Sequence, residues 1–272
     1  MSTVASPGAL RTPLPNHLQL PDTDNLPVEN SQEHPQSELL SAPLEPVLQR
    51  LFPGDRCYLG RNVGIYFRHT DPPLNGCRAP DWFLVPDVPL LLDGEMRRSY
   101  VMWQELELPL VVIEYASRDG DEDRDPTPHT GKFWIYERAV HASYYAIFVW
   151  KTGSLEVNHL QNNRYQRMEP NERGHFPIGP LGLELGVWEG TYANVTTRWL
   201  RWFDAKGVML PTPQEMNHEL ADENRQLADT NQQLTDEKRL LAEKYERLVE
   251  RLKTFGVNPD NGGSSSPNPE AP

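Results

Sequence analysis

Apolar residues recur along this chain in three rhythms, and each rhythm predicts a different kind of element. Between Ser31 and Leu51 the spacing of Leu39, Leu40, Leu44, Val47, Leu48 and Leu51 is helical, and Pro43 and Pro46 should break or kink that helix. Short strand-like runs follow. CYLGRNVGIYF (57–67) is dense in aromatic and β-branched residues, and DWFLV (81–85) is a brief apolar run. LPLVVIEYA (108–116) is almost continuously apolar, as a strand buried on both faces should be, and YYAIFVW (144–150) repeats that character. Lys151–Gly153 turns the chain into LEVNHL (155–160), and Asn162–Asn163 marks a hairpin into RYQRM (164–168). Between the two apolar strands lie a charge-dense loop, SRDGDEDRDPTPHTG (117–131), and a helical segment, KFWIYERAV (132–140). GLELGVWEG and LRWFDAKGVML are expected to close the core as strands around a Lys206–Gly207 turn. This mixture predicts an α/β domain over residues 28–210, with a mixed sheet flanked by helices.

The third rhythm has a period of seven. Thr212–Pro213–Gln214–Glu215 is a capping box with proline at the first helical position. Leu220, Leu227, Leu234, Leu241 and Leu248 then occupy d positions, which places Asn217, Asn224, Asn231, Lys238, Tyr245 and Leu252 at a. A coiled-coil helix is expected over 211–256, ending near Gly256, with a homodimer formed through residues 216–254. The alternative is a single solvated helix that packs its leucines on the core. Residues 1–27 and 257–272, rich in Pro, Asn, Asp and Ser, are expected to be a disordered leader and tail.

Composition narrows the class. No run of about 18 apolar residues exists, so no membrane span is expected. The start, MSTVASPGALRTPLPNHLQL, lacks the charged-then-apolar pattern of a secretory signal. Two cysteines, Cys57 and Cys77, predict free thiols in a reducing cytoplasm rather than a disulfide framework or a thiolate zinc site. The formal net charge of −13 argues against nucleic acid as a partner until it is partitioned. Residues 1–40 carry −4 and residues 211–272 carry −5, leaving −4 on 41–210. There is no GxxxxGK[ST] loop, no GxSxG elbow and no HExxH pair, which excludes the common nucleotide, serine-hydrolase and zinc-protease motifs.

What remains is an ordered set of acids and a lysine. Phosphodiester hydrolysis with Mg²⁺ needs two carboxylates to hold the ion and gains from a lysine beside the attacking water. Asp81 follows Pro80 at the entrance to one strand. Glu114 lies among Val111, Val112 and Ile113, where an ionisable group is costly to bury unless it is paired or metal-bound. Lys132 opens the helix after the charged loop. Each has a plainer explanation taken alone: a strand-entry aspartate, a buried glutamate paired with arginine, a solvated lysine in a first helical turn. The acids at 119, 121, 122, 123 and 125 lack the order and glycine of an EF-hand and are expected to form a solvated flexible loop.

In RAPDWFLV, RRSYVMWQE, PLVVIEYAS, GKFWIYERA, YYAIF, PLGLEL and LRWFDAKG the chain resembles the Uma-type restriction endonuclease family of the PD-(D/E)xK nuclease superfamily, over roughly residues 30–260. The resemblance implies a restriction-endonuclease-like fold, DNA as substrate and Mg²⁺ or Mn²⁺ as cofactor. It implies Asp81 and Glu114 as metal ligands, with Lys132 catalytic and Tyr136 one turn later. Ala116 stands where the plain motif has its lysine, so the lysine is displaced onto the following helix. The family also implies an acid on the first helix, for which Glu29 and Glu33 are candidates beside His34, and an aspartate before the lysine, for which Asp125 is one. The rival expectation is a non-catalytic regulatory protein that retains the fold and acts through its coiled coil.

Overall fold

The computed structural model describes residues 14–20, 31–116 and 118–255. The chain divides into two compact units, one ending at Thr212 and one beginning at Pro213.

The first unit begins with the segmented helix. α1 (Glu33–Ser41) and α2 (Glu45–Leu51) are joined by one 3₁₀ turn at Ala42–Leu44. Pro43 and Pro46 each sit in the first turn of their segment, where no backbone N–H is needed, so they divide the helix without destroying it. The strands follow: β1 (Cys57–Gly60), β2 (Ile65–Tyr66), β3 (Cys77–Arg78), β4 (Trp82–Pro86) and β5 (Tyr100–Val101). Then come α3 (Met102–Glu105), β6 (Val111–Ala116), α4 (Lys132–Ile135) with a π-helical turn Tyr136–Val140, β7 (Tyr144–Val149), β8 (Ser154–Gln161) and β9 (Arg164–Arg167). β10 (Phe176–Ile178), β11 (Leu183–Tyr192) and β12 (Val195–Asp204) complete the unit.

The main sheet has six strands in the order β1-β4-β6-β7-β8-β9. Its β6–β7 pair is parallel, and α4 supplies the crossover that a parallel pair requires. All six residues of β6 and all six of β7 are buried, which accounts for sequences that are apolar throughout except at Glu114. Because side chains alternate across a sheet, the two faces carry different cores. Trp82, Leu84, Val111, Ile113 and Tyr115 pack against Leu40, Leu44 and Leu48 of the helical pair and Trp202 of β12. Phe83, Val85, Val112 and Ala116 pack against Ile135, Tyr136 and Val140. Each such aliphatic or aromatic side chain stabilises the fold by about 1.5–3 kcal/mol on burial, so α4 is held firmly on its face of the sheet. The site lies on that face.

Three expectations are corrected. CYLGRNVGIYF is two strands in two sheets: β1 ends at Gly60, Asn62 takes a left-handed conformation, and β2 joins a small sheet of order β3-β2-β5. The two long closing strands turn at Ala193–Asn194, both at positive φ, and the expected Lys206–Gly207 turn is a second one that brings Met209 back against Phe203. The long β11–β12 hairpin therefore runs through the polar stretch TYANVTTR, because its register propagates beyond the core, and with β10 it forms a separate three-stranded sheet. Within the leader, residues 14–20 are packed: Leu20 joins Tyr66, Cys77 and Val101, and the Trp103 indole N–H donates to the Pro15 carbonyl at 3.0 Å. The buried Leu20, the indole contact and the buried His17, whose amide donates to Gln104 and whose Nδ1 accepts from the Arg98 amide, dock a segment whose average composition is polar.

Cys57 and Cys77 are free thiols. Among the described residues no helix is long and apolar enough to cross a membrane. The second unit holds α5 (Pro213–Thr254), a helix of 42 residues with none buried.

Candidate active site

The pairing of β4 with β6 does most of the positioning. Trp82 lies opposite Ile113 in this antiparallel ladder, so the next step in the register sets Asp81 opposite Glu114. Directly opposed residues share a face, and the backbone alone therefore aims both carboxyls to the same side. That side is the α4 face. Asp81 is fixed further by the Tyr115 amide, which donates to its Oδ2 at 2.5 Å. Glu114 is buried, and both its oxygens are engaged: the Tyr136 hydroxyl donates to Oε1 at 2.6 Å and Lys132 Nζ donates to Oε2 at 3.1 Å.

Lys132 is the first residue of α4, and Tyr136 stands four residues on, one turn along the same helix face. Gly131 before it is required by space. A Cβ there would lie 2.2 Å from the Asp125 carbonyl oxygen, so no larger residue lets the loop close on the helix start. Lys132 Nζ also donates to Asp123 Oδ1 at 2.8 Å. Asp123 is buried, and its loop is pinned twice: the Tyr145 hydroxyl donates to the Asp123 carbonyl at 2.9 Å, and Arg124 pairs with Glu156 on β8.

A third acid meets the pair from α1. Glu33 is buried, accepts from Asn62 Nδ2 at 2.7 Å and brings its carboxyl up to that of Asp81. A second carboxyl this close opposes ionisation of Asp81. Burial pushes the Asp81 carboxyl well above its ordinary range, the neighbouring charges of Glu114 and Glu33 push it further, and the Tyr115 amide opposes them. Burial also raises Glu114, with Asp123 adding to the effect and Lys132 and Tyr136 opposing it. For Lys132 burial favours the neutral amine, but Glu114 and Asp123 outweigh it and hold the ammonium form. Burial and the charge on Glu114 raise the Tyr136 phenol, which therefore stays a neutral donor.

Glu114 and Asp123 thus share Lys132, while Asp81 meets the charges of Glu114 and Glu33 with no cation of its own among the described residues, and the excess negative charge calls for protons or a cation. Among the described residues no three acidic, histidine or cysteine side chains surround a common point. An opposed pair of hard carboxylates nevertheless fits an ion of the Mg²⁺ type, which is commonly bound through one or two carboxylates with water and phosphate completing its shell.

Asp125 does not join this group. It is half-buried, and its carboxylate accepts from the Thr127 hydroxyl and amide, which lower its pKa. Asp123 stands at the lysine instead, correcting the expectation of a wholly solvated loop. Nothing local marked it among five acids; its burial comes from contacts with β7 and β8 that are remote in sequence. Asn62, which holds Glu33, was likewise unmarked. His34 is exposed, and Glu29 lies outside the described residues.

A mixed sheet carrying an acid pair on adjacent central strands, with a lysine on the crossover helix, defines a restriction-endonuclease-like protein. The Uma2 family model, described as "Putative restriction endonuclease", matches residues 25–196, and the chain belongs to that family. No curated protein matches the chain.

Proposed function

We propose that this protein is a Mg²⁺- or Mn²⁺-dependent endonuclease that hydrolyses DNA phosphodiester bonds. The observation that carries the reading is the meeting of Asp81, Glu114 and Lys132 from two paired strands and the helix that follows them. Asp81 and Glu114 would hold the ion. When bound, such an ion polarises a phosphoryl oxygen and acidifies a coordinated water. Lys132, kept charged by Glu114 and Asp123, would donate to the attacking water or to a non-bridging phosphate oxygen and offset charge developing at phosphorus. Tyr136 would fix the carboxylate plane of Glu114, and Asp123 would hold the lysine stem in place. Two chains joined through α5 would carry two such sites in one particle, which could cut both strands of a duplex.

The test is nicking of supercoiled plasmid by the purified protein with Mg²⁺, compared with Glu114→Gln. Glutamine still accepts from Tyr136, so the variant should fold, yet cleavage should be abolished. Unchanged cleavage by a folded Glu114→Gln protein would overturn the site assignment.

A further inference from the structure

Helix α5 presents a stripe that a lone chain leaves open. Leu220, Leu227, Leu234, Leu241 and Leu248 are each at least half exposed, at 53, 54, 50, 68 and 56%. Asn217, Asn224 and Asn231 are exposed on the adjoining a positions. A seven-residue leucine repeat sustained over five turns of the pattern is stable in water only when it is covered by a helix with the same period. The copy most readily at hand is a second molecule of this chain.

We infer that α5 pairs with a second copy of itself in parallel and in register, so that Asn217, Asn224 and Asn231 each meet their own counterpart. This rests on the dimer reading above and adds its orientation. The argument turns on what each a residue would face. In a parallel, in-register pair a faces a, and asparagine amides satisfy one another as donor and acceptor. In an antiparallel pair a faces d, and all three amides would be pressed against leucines with no partner.

The flanking positions do not override this choice. The e residues are Ala221, Ala228, Thr235, Ala242 and Val249, so no e-to-g ion pairs select an orientation. The g residues run from Glu223 and Glu237 to Lys244 and Arg251, which would suit an antiparallel pair. Those are exposed rim contacts, and such pairs contribute little beside unmatched amides in the seam. In the parallel pair Lys238 faces its own copy, but the partner's Glu237 precedes it by one residue and can neutralise it. A parallel pair starts both helices at one end, so both first units are joined to it at that end.

The full-length chain carrying Cys57→Ser provides the background for three further variants. Asn217→Cys and Tyr245→Cys sit at opposite ends of the a row, and Gln226→Cys points outward at a c position. Under mild oxidation both a-position variants should form covalent dimers, and Gln226→Cys should link at least tenfold more slowly. An antiparallel pair can bring at most one of positions 217 and 245 against its own copy, so linkage at only one of them, or at neither, overturns the inference. A monomer by light scattering at micromolar concentration overturns it too. Neither readout depends on cleavage, so failure here is separable from failure of the nuclease reading.

Discussion

Asp81 and Glu114 face one another because of a strand register, and the cost of placing them so shows in their proton affinity. Burial and then mutual repulsion raise Asp81, and burial raises Glu114. A carboxyl that holds its proton more tightly folded than unfolded makes the folded state the proton-binding one. Its stabilising contribution is complete below the ordinary carboxylate pKa and is lost as pH rises through the raised folded value. In chelator, the melting temperature of the wild-type protein should therefore fall relative to Asp81→Asn as pH increases from about 5 to about 8. A difference between the two that is constant with pH would show that Asp81 is ionised without penalty. The sequence exposed this pair because a lone acid inside LVVIEYA and another at a strand entrance are visible against apolar neighbours. It did not expose Asp123, one acid of five in a loop, or the approach of Glu33 to Asp81, which α1 makes only on folding.

At the scale of elements, the βαβ unit β6–α4–β7 is what delivers the lysine. Its long connection is closed by Arg124 on Glu156 and by the tight approach of Gly131 to Asp125. Gly131→Ala keeps an ordinary backbone φ of −69° but has no room, since the added carbon would meet a carbonyl oxygen rather than a side chain able to swing away. The substitution should cost about 1–3 kcal/mol, as overpacking does, and should be read by urea denaturation. It should also loosen Lys132 from Asp123, so cleavage should fall more than the population of folded protein. Unchanged stability would mean that the loop closes without the glycine. Elements with a strong local period were legible: the buried strands, α5, and the helical pair cut by prolines. The β11–β12 hairpin was misplaced because its distal half has no apolar alternation. It is carried by a continuous ladder, by Trp188 opposite Trp199 and by the Thr191–Thr196 hydroxyl pair.

For the whole molecule the question is how a chain with net charge −13 approaches a polyanion. Screening decides which charges count. At physiological salt the Debye length is about 8 Å, so the charges that count most at a phosphate bound near Asp81 are its immediate neighbours. Glu33 and Glu114 stand beside Asp81, and Lys132 is already shared between Glu114 and Asp123. DNA binding should accordingly depend on a divalent cation more than on ionic strength. With Ca²⁺, a hard ion that takes the same oxygen donors, affinity for a duplex by gel shift should rise at least about tenfold over chelator. The combined Asp81→Asn and Glu114→Gln variant should bind more tightly than wild type in chelator and lose most of the response to Ca²⁺. If wild type binds equally well with and without the ion, DNA must be held by a basic surface elsewhere on the chain. The acid pair would then have no part in recognition, and any contribution it makes would be confined to the chemical step.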